Sequence, residues 1–289
     1  AIAIGDSAVA SNQDSIAIGD GANSAAYFGV AIGWGASTTS NGSRGIAIGK
    51  SATTDGISSF AAGDSATITN TGTSAVALGT SYAAGTDSFA AVISTNSSSY
   101  GATGANSVAI GKLAKATGAE STAIGRENVA SGDRGFAAGP YQATASGNES
   151  IAMGYQSTAS AGYSAAFGFS NVARGTGSLA IGYDNTASGT YSLAAGDQST
   201  ASANRSVSIG RLNTAGGIEA VAIGSNNTAT GTGGYIAYAF GNTNTATGIG
   251  SVALGTEAKA TIKTQIAMAA GKFAVVGDAQ GSTFILRSD

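Results

Sequence analysis

Asp14-Ser15-Ile16-Ala17-Ile18-Gly19 is the stretch on which the fold of this chain turns. Its large apolar residues alternate with small ones, the two-residue period of a strand, and no single helix face could collect them. Ile16 and Ile18 share one face, Ser15 and Ala17 the other, so both faces carry groups that tolerate burial. The phrase returns throughout the sequence. Copies close at Gly5, Gly19, Gly33, Gly49, Gly63, Gly79, Gly111, Gly125, Gly139, Gly154, Gly168, Gly182, Gly196, Gly210, Gly224, Gly241 and Gly255, with degenerate copies closing at Val92 and Ala269. Most successive copies lie 14 residues apart. Self-similarity at one short period predicts a quasi-one-dimensional solenoid rather than two ordinary domains.

The second half of each module reads differently. Asn185-Thr186-Ala187-Ser188-Gly189 and Gln198-Ser199-Thr200-Ala201-Ser202 alternate alanine with Ser, Thr or Asn, a strand with one dry and one wet face. Two strands of ~5 residues joined by two tight Gly or Asn turns use up one module. Each module is therefore one flattened coil, and coils stacked in parallel at ~4.8 Å give a rod of roughly 90 Å. The predicted fold is all-β: a single-stack parallel β-roll (β-solenoid) of about nineteen 14-residue coils, over residues 1–269, with residues 270–289 as a C-terminal strand segment outside the repeat.

The interior between the two strands must be narrow, because alanine dominates it; Ala17, Ala180 and Ala222 are placed there. This leaves Ile16, Ile18, Ile46, Ile48, Val108, Ile110, Leu179, Ile181, Val221 and Ile223 on an unburied stripe far larger than a soluble monomer ordinarily exposes. Closed self-association along the coils covers it, and three parallel chains do so most simply, with this stripe on the trimer axis. The opposite assignment, with isoleucine inside and alanine at the axis, gives a similar oligomer.

Composition narrows the function. With 45 glycines and a single proline, the chain lacks the glycine at every third position and the abundant proline of collagen. Net charge is −3 with 10% charged residues, so no basic stripe exists to neutralise phosphates, and nucleic acid is not expected as a partner. No apolar run approaches the ~20 residues of a membrane helix, so direct membrane insertion is not expected either. The absence of cysteine fits a secreted or surface protein stabilised by repetition. Residue 1 is an alanine inside a repeat, and the chain reads as a piece of a longer protein whose export signal and anchor lie elsewhere.

Without histidine or cysteine, the commonest general base, the thiol nucleophile and the usual zinc ligands are missing. The sixteen acidic residues are scattered without a recurring pair, so no catalytic residue, metal or cofactor is expected. Asp6, Asp20, Asp64 and Asp197, each following a phrase glycine, read as turn residues bonding their own backbone rather than as calcium ligands. Gly33-Trp34-Gly35 is a chance match to a phosphate loop in so glycine-rich a chain.

Aromatic placement supplies the candidate contact residues. Trp34, Tyr155, Phe169 and Tyr183 each follow a phrase glycine, and the last three occupy consecutive coils, where they should stack as a short ladder. Such a strip either covers the turn or meets a glycan or protein partner. Irregular coils are the other candidates, since insertions in a solenoid emerge as loops: Ile93 to Asn106 carries Tyr100, and Gly231 to Tyr238 carries Tyr235 and Tyr238. Arg126, Arg134, Arg174, Arg205 and Arg211 read as solvated charges or as bridges between chains.

Ser107-Val108-Ala109-Ile110-Gly111 followed by Lys112-Leu113-Ala114-Lys115-Ala116-Thr117-Gly118 resembles the head repeat of YadA-type trimeric autotransporter adhesins, with similar matches from residue 1 to about 260. The resemblance implies a left-handed roll, homotrimeric, displayed at the cell surface beyond a bacterial outer membrane and adhering to a host surface protein or glycan. The same repeat resembles segments of bacteriophage tail and head fibres, which implies instead a virion fibre for host attachment. Gln265-Ile266-Ala267-Met268-Ala269-Ala270-Gly271 matches the adhesin neck only in part, no heptads follow, and Ser282 to Arg287 reads as one more strand.

Overall fold

The computed structural model describes residues 1–91, 99–272, 274–275 and 277–283. The degenerate phrase end at Val92, the first part of the Ile93–Asn106 insertion and most of the expected Ser282–Arg287 strand therefore lie outside the described residues. Two compact units emerge, Ala1–Glu149 and Ser150–Asp289.

In the first unit, ten phrase strands are joined in parallel, each to the corresponding strand of the next coil. The register keeps the repeat in step: Ile2 lies beside Ile16, Ala3 beside Ala17, Ile4 beside Ile18, and Ile16, Ala17 and Ile18 in turn beside Val30, Ala31 and Ile32. A second parallel ladder is built from two-residue strands such as Asn23–Ser24, Ser37–Thr38 and Thr53–Thr54. The second unit repeats the plan over nine phrase strands, from Ile151–Tyr155 to Ile266–Ala270. Among the described residues no α-helix forms, and a single 3-10 turn spans Thr232–Gly234. The all-β parallel solenoid of about nineteen coils is thus present.

Ala17, Ala180 and Ala222 are fully buried, and so are their counterparts in nearly every coil. Ser15 is buried on the same side, whereas Ile16 and Ile18 face outward and are half-buried. The structure therefore chooses between the two assignments left open by the sequence: alanine fills the roll and the large aliphatics lie on its outer face. Ile48, Ile110, Ile181 and Ile223 are exposed there, Ile181 by 40%. Packing density explains the choice, because a two-layer interior one alanine deep has no volume for isoleucine from every coil.

The second strand is two residues long, not the expected ~5. Two turns per coil consume the difference. Each turn holds one residue at φ near 55°, and these are mostly not glycines: Phe28, Arg44, Glu120, Arg134 and Arg205 in the second turn, Leu113, Glu127, Asp184 and Leu212 in the first. The left-handed conformation costs a side-chain-bearing residue roughly 1–2 kcal/mol. In return the amide is aimed at the coil before: Phe28 donates to the Gln13 carbonyl at 3.0 Å and Arg44 to that of Tyr27 at 2.8 Å. The phrase glycines serve a different need. At Gly182, φ is 117° and a Cβ would sit 2.2 Å from the carbonyl oxygen of Gly196, so glycine lets adjacent coils touch backbone to backbone.

The roll of the second unit closes with a reversal. Gln280–Thr283 pairs antiparallel with Ile266–Ala270, placing Thr283 beside Ile266. The Gln280 side chain accepts from the Lys259 amide at 2.7 Å and donates to the Lys259 carbonyl at 2.9 Å, the two bonds a further coil would have made.

Candidate adhesive surface

The first turn carries the aromatic strip, and a buried amide beneath it sets its geometry. Three residues after a phrase glycine stand Asn171, Asn185, Asn213, Asn227 and Asn244, all fully buried. Asn185 Nδ2 donates to the Ile181 carbonyl at 2.9 Å, to the Gly196 carbonyl of the next coil at 2.7 Å and to Asn171 Oδ1 at 3.0 Å. Its own Oδ1 accepts from the Ser199 amide at 2.9 Å. Asn171 makes the equivalent bonds to Phe167 and Gly182. The side-chain amide thus replaces the backbone bond that closes this turn in alanine-bearing coils, such as Ala22 amide to Gly19 carbonyl at 3.2 Å. The phrase strand before Asn185, Leu179–Tyr183, runs five residues, against the three of Ile16–Ile18.

Alternation of alanine with Ser, Thr or Asn predicts asparagine on the wet face, and the structure differs. Asn185 belongs to the dry face with Ala187, because residues two apart in a strand share a face. The legible signal was its constant offset of three from the phrase glycine. A buried amide is acceptable only because its bonds are complete.

The residue directly after the glycine projects from the turn. Tyr155 and Phe169 stack with ring centres 4.9 Å apart and planes 3° apart, and Phe169 and Tyr183 at 5.0 Å and 7°. The expected ladder is present. Beyond Tyr183 the row continues with Asp197 and Arg211, 3.6 Å apart. In the first unit Trp34, exposed by 57%, lies under the Lys50 ammonium, which is 5.7 Å from the ring centre on the next coil.

The remaining aromatic candidates scatter. Tyr235 is exposed beside the Thr232–Gly234 turn, as expected of a loop residue. Tyr238 is not in a loop: it lies in the strand Ala237–Asn242 between Val221 and Val252, and its ring packs against Phe240 at 6.3 Å. The insertion is absorbed before the strand begins, so Tyr238 takes an isoleucine-face position. Tyr100 is half-buried at a bend. The most exposed tyrosines of the second unit, Tyr163 and Tyr191, were missed; each directly precedes the serine that opens a phrase.

Among the described residues, four of the five arginines singled out from the sequence are ion-paired within the chain, Arg211 with Asp197 and three others with glutamates, while Arg174 makes no ion pair. Arg134 meets Glu149 at 2.6 Å, Arg205 meets Glu219 at 2.5 Å and Arg126 meets Glu127 at 3.1 Å. Desolvation opposes the Glu127 charge, but hydrogen bonds from Arg126, Gln142 and Tyr141 prevail and hold its carboxyl below the ordinary glutamate value. Asp64 accepts from the Ser65 hydroxyl at 2.8 Å and Asp197 faces Arg211, so these two turn aspartates engage side chains rather than their own backbone. Among the described residues no cluster of three or more carboxylates could hold a metal ion. No helix among them is long and apolar enough to cross a membrane.

The family model of the YadA head domain repeat matches residues 1–22, 10–36, 102–128, 116–141, 145–171, 173–197, 187–212, 215–234 and 237–258, well over half of the chain. The chain belongs to the YadA head-repeat family. YadA head repeats are parts of adhesin-type structural proteins rather than enzymes. No curated protein matches the chain at a significant level.

Proposed function

We propose that this chain is the non-catalytic adhesive shaft of a cell-surface protein, in which three left-handed rolls associate in parallel and attach to a host protein or glycan. The observation that carries the reading is the outward aliphatic face. Ile181, Ile223, Leu254 and Met268 are exposed on one sheet face of the second unit, with half-buried Ala195, Ile209 and Phe240 at the same position on the coils between, and Ile48 and Ile110 are exposed on that face in the first. Water-exposed aliphatics in so regular a file favour a self-complementary partner. Residues 1–269 supply the head repeat and residues 270–289 lead towards a neck, stalk or tip. Attachment through many weak contacts gains from three copies per assembly and many assemblies per particle. Trp34 and the Tyr155, Phe169 and Tyr183 ladder are the proposed contacts.

Light scattering on the isolated chain should return three times the 27.6 kDa protomer mass. Ile181→Asp should lower that mass; a monodisperse wild-type monomer would overturn the assembly. Beads coated with the chain should be retained on a panel of matrix proteins and host glycans. A virion fibre is the second reading, favoured by the antiparallel strand Gln280–Thr283 that follows the last coil where an adhesin neck would lead into a coiled coil. Retention on bacterial envelopes alone would select it.

A further inference from the structure

The last coil of the second unit differs from those before it at the positions that would meet a further coil. In the preceding coil the amides of Thr247 and Gly248 both donate to the Ala260 carbonyl of the coil that follows, at 2.9 and 3.2 Å. Ser188 and Gly189 do the same to Ala201, at 2.9 and 3.4 Å. In the last coil the equivalent amides, Thr261 and Ile262, turn instead to the Gln265 side chain, whose Oε1 accepts from them at 2.8 and 3.1 Å. Gln265 is only 4% exposed and stands where the rest of the second unit has serine or alanine, as at Ser206, Ala220 and Ser251. One side-chain oxygen thus replaces the carbonyl that a following coil supplies elsewhere.

A second change acts against continuation. Elsewhere in the second unit the position of Ile262 holds glycine or alanine, as at Gly175, Gly189, Ala203 and Gly248. Small residues suit it because the next coil lies directly on them: a Cβ at Gly248 would collide with the Ile262 carbonyl oxygen, and one at Gly189 with that of Ala203. Ile262 puts a branched side chain, 55% exposed, where that next coil would run.

The chain then folds back over the edge. Gln280–Thr283 lies antiparallel on Ile266–Ala270, whereas the phrase strands of successive coils pair in parallel. Gln280 takes both bonds of Lys259, and the side-chain amides of Gln265 and Gln280 each donate to the Ser282 hydroxyl at 3.1 Å. Lys272 Nζ, 3.1 Å from Glu257, and Asp278, which accepts from the Val275 amide at 2.9 Å, tie down the connecting segment. Two glutamines and one strand therefore occupy the amides and carbonyls through which an open sheet edge recruits another chain.

We propose that Ile262, Gln265 and the strand Gln280–Thr283 form an end cap that closes the last coil to a second copy of this chain. The first coil of such a copy is the matching partner: Ile2–Ile4 pairs with Ile16–Ile18 in the register that joins successive coils, and all three of its residues are exposed. Laid on the last coil, it would set Ala3 beside Ala267 as Ala267 now lies beside Ala253. The cap stops this growth end to end and leaves the outward aliphatic face free. It acts whether the roll stands alone or in the trimer proposed above.

Amide exchange and sedimentation of the full chain test it. Gln265→Ser, which restores the residue of the inner coils, should speed exchange at the Thr261 and Ile262 amides by at least about tenfold, whereas Gln265→Glu, which keeps the accepting oxygen, should not. Combining Ile262→Gly, Gln265→Ser and Gln280→Ala should let particles join end to end. Their sedimentation coefficient should then rise with concentration, and electron micrographs should show particles lengthened in whole multiples, while the wild-type chain keeps one size. Unchanged protection of the Ser199 and Asn213 amides, in inner coils, reports that the roll of each variant is folded. Should the triple variant lose that protection, the pair Ile262→Gly and Gln265→Ser is read in its place. Equal exchange at Thr261 and Ile262 in Gln265→Ser and wild type overturns the proposal. So does a folded combined variant that keeps the wild-type size, or end-to-end growth of the wild-type chain itself.

Discussion

Replacing Asn185 with alanine tests whether the buried amide row holds the first turn, and with it the aromatic ladder. Asn185 is fully buried and makes four bonds of 2.7–3.0 Å outside its own backbone. In the alanine variant the Ser199 amide loses its acceptor inside the roll, which costs about 1–3 kcal/mol, and the Ile181 and Gly196 carbonyls each lose a donor worth about 0.5–1.5 kcal/mol. A destabilisation of about 4 kcal/mol follows, large against the 5–15 kcal/mol of an ordinary domain. Serine is the informative control. Ser199 already stands in this row, donating to the Gly210 carbonyl at 3.1 Å and accepting from the Asn213 amide at 3.3 Å. Asn185→Ser should therefore cost about half as much, because the two bonds to the next coil re-form and the one to Ile181 does not. Equilibrium unfolding in guanidinium at fixed protein concentration gives the difference, and hydrogen exchange at the Ser199 amide localises it. An alanine variant within about 0.5 kcal/mol of wild type, or a serine variant as unstable as alanine, would refute the account of the row as a hydrogen-bond relay.

Gly182→Ala should unfold the coils around it, since a Cβ would meet the Gly196 oxygen at 2.2 Å, whereas Gly21→Asn, with nothing within 4 Å and φ 63°, should shift the thermal midpoint little; equal effects would show that coil contact is not what glycine provides. Arg126→Ala should raise the titration midpoint of Glu127, followed by carboxyl NMR, towards the ordinary glutamate value. Because the folded value is the lower one, whatever stability this pair gives is present above the ordinary carboxylate range and lost as pH falls through the folded value. An unchanged midpoint in the variant would assign the lowering to Gln142 and Tyr141 instead.

Much of this protein was legible in its sequence. The two-residue alternation within Ser15-Ile16-Ala17-Ile18 and the 14-residue return of the phrase glycine gave parallel coils, and one residue past that glycine gave the stacked Tyr155, Phe169 and Tyr183. Other features resisted because sequence pattern reports spacing and not volume or direction. Asn185 looked like a wet-face residue, since asparagine alone does not reveal that Gly196, Ile181 and Ser199 converge on it. Tyr238 looked like a loop residue, since nothing local shows that the Thr232–Gly234 turn absorbs the whole insertion.

The sequence by itself determined the repeat, the strand class and the number of coils, because period and alternation are properties of order along the chain. Only the tertiary structure decided which face turns inward. Both faces of the phrase could be buried as far as polarity goes, and the choice follows from space: tight turns hold the two strands of each coil so close that alanine and serine fill the gap, which sends isoleucine outside.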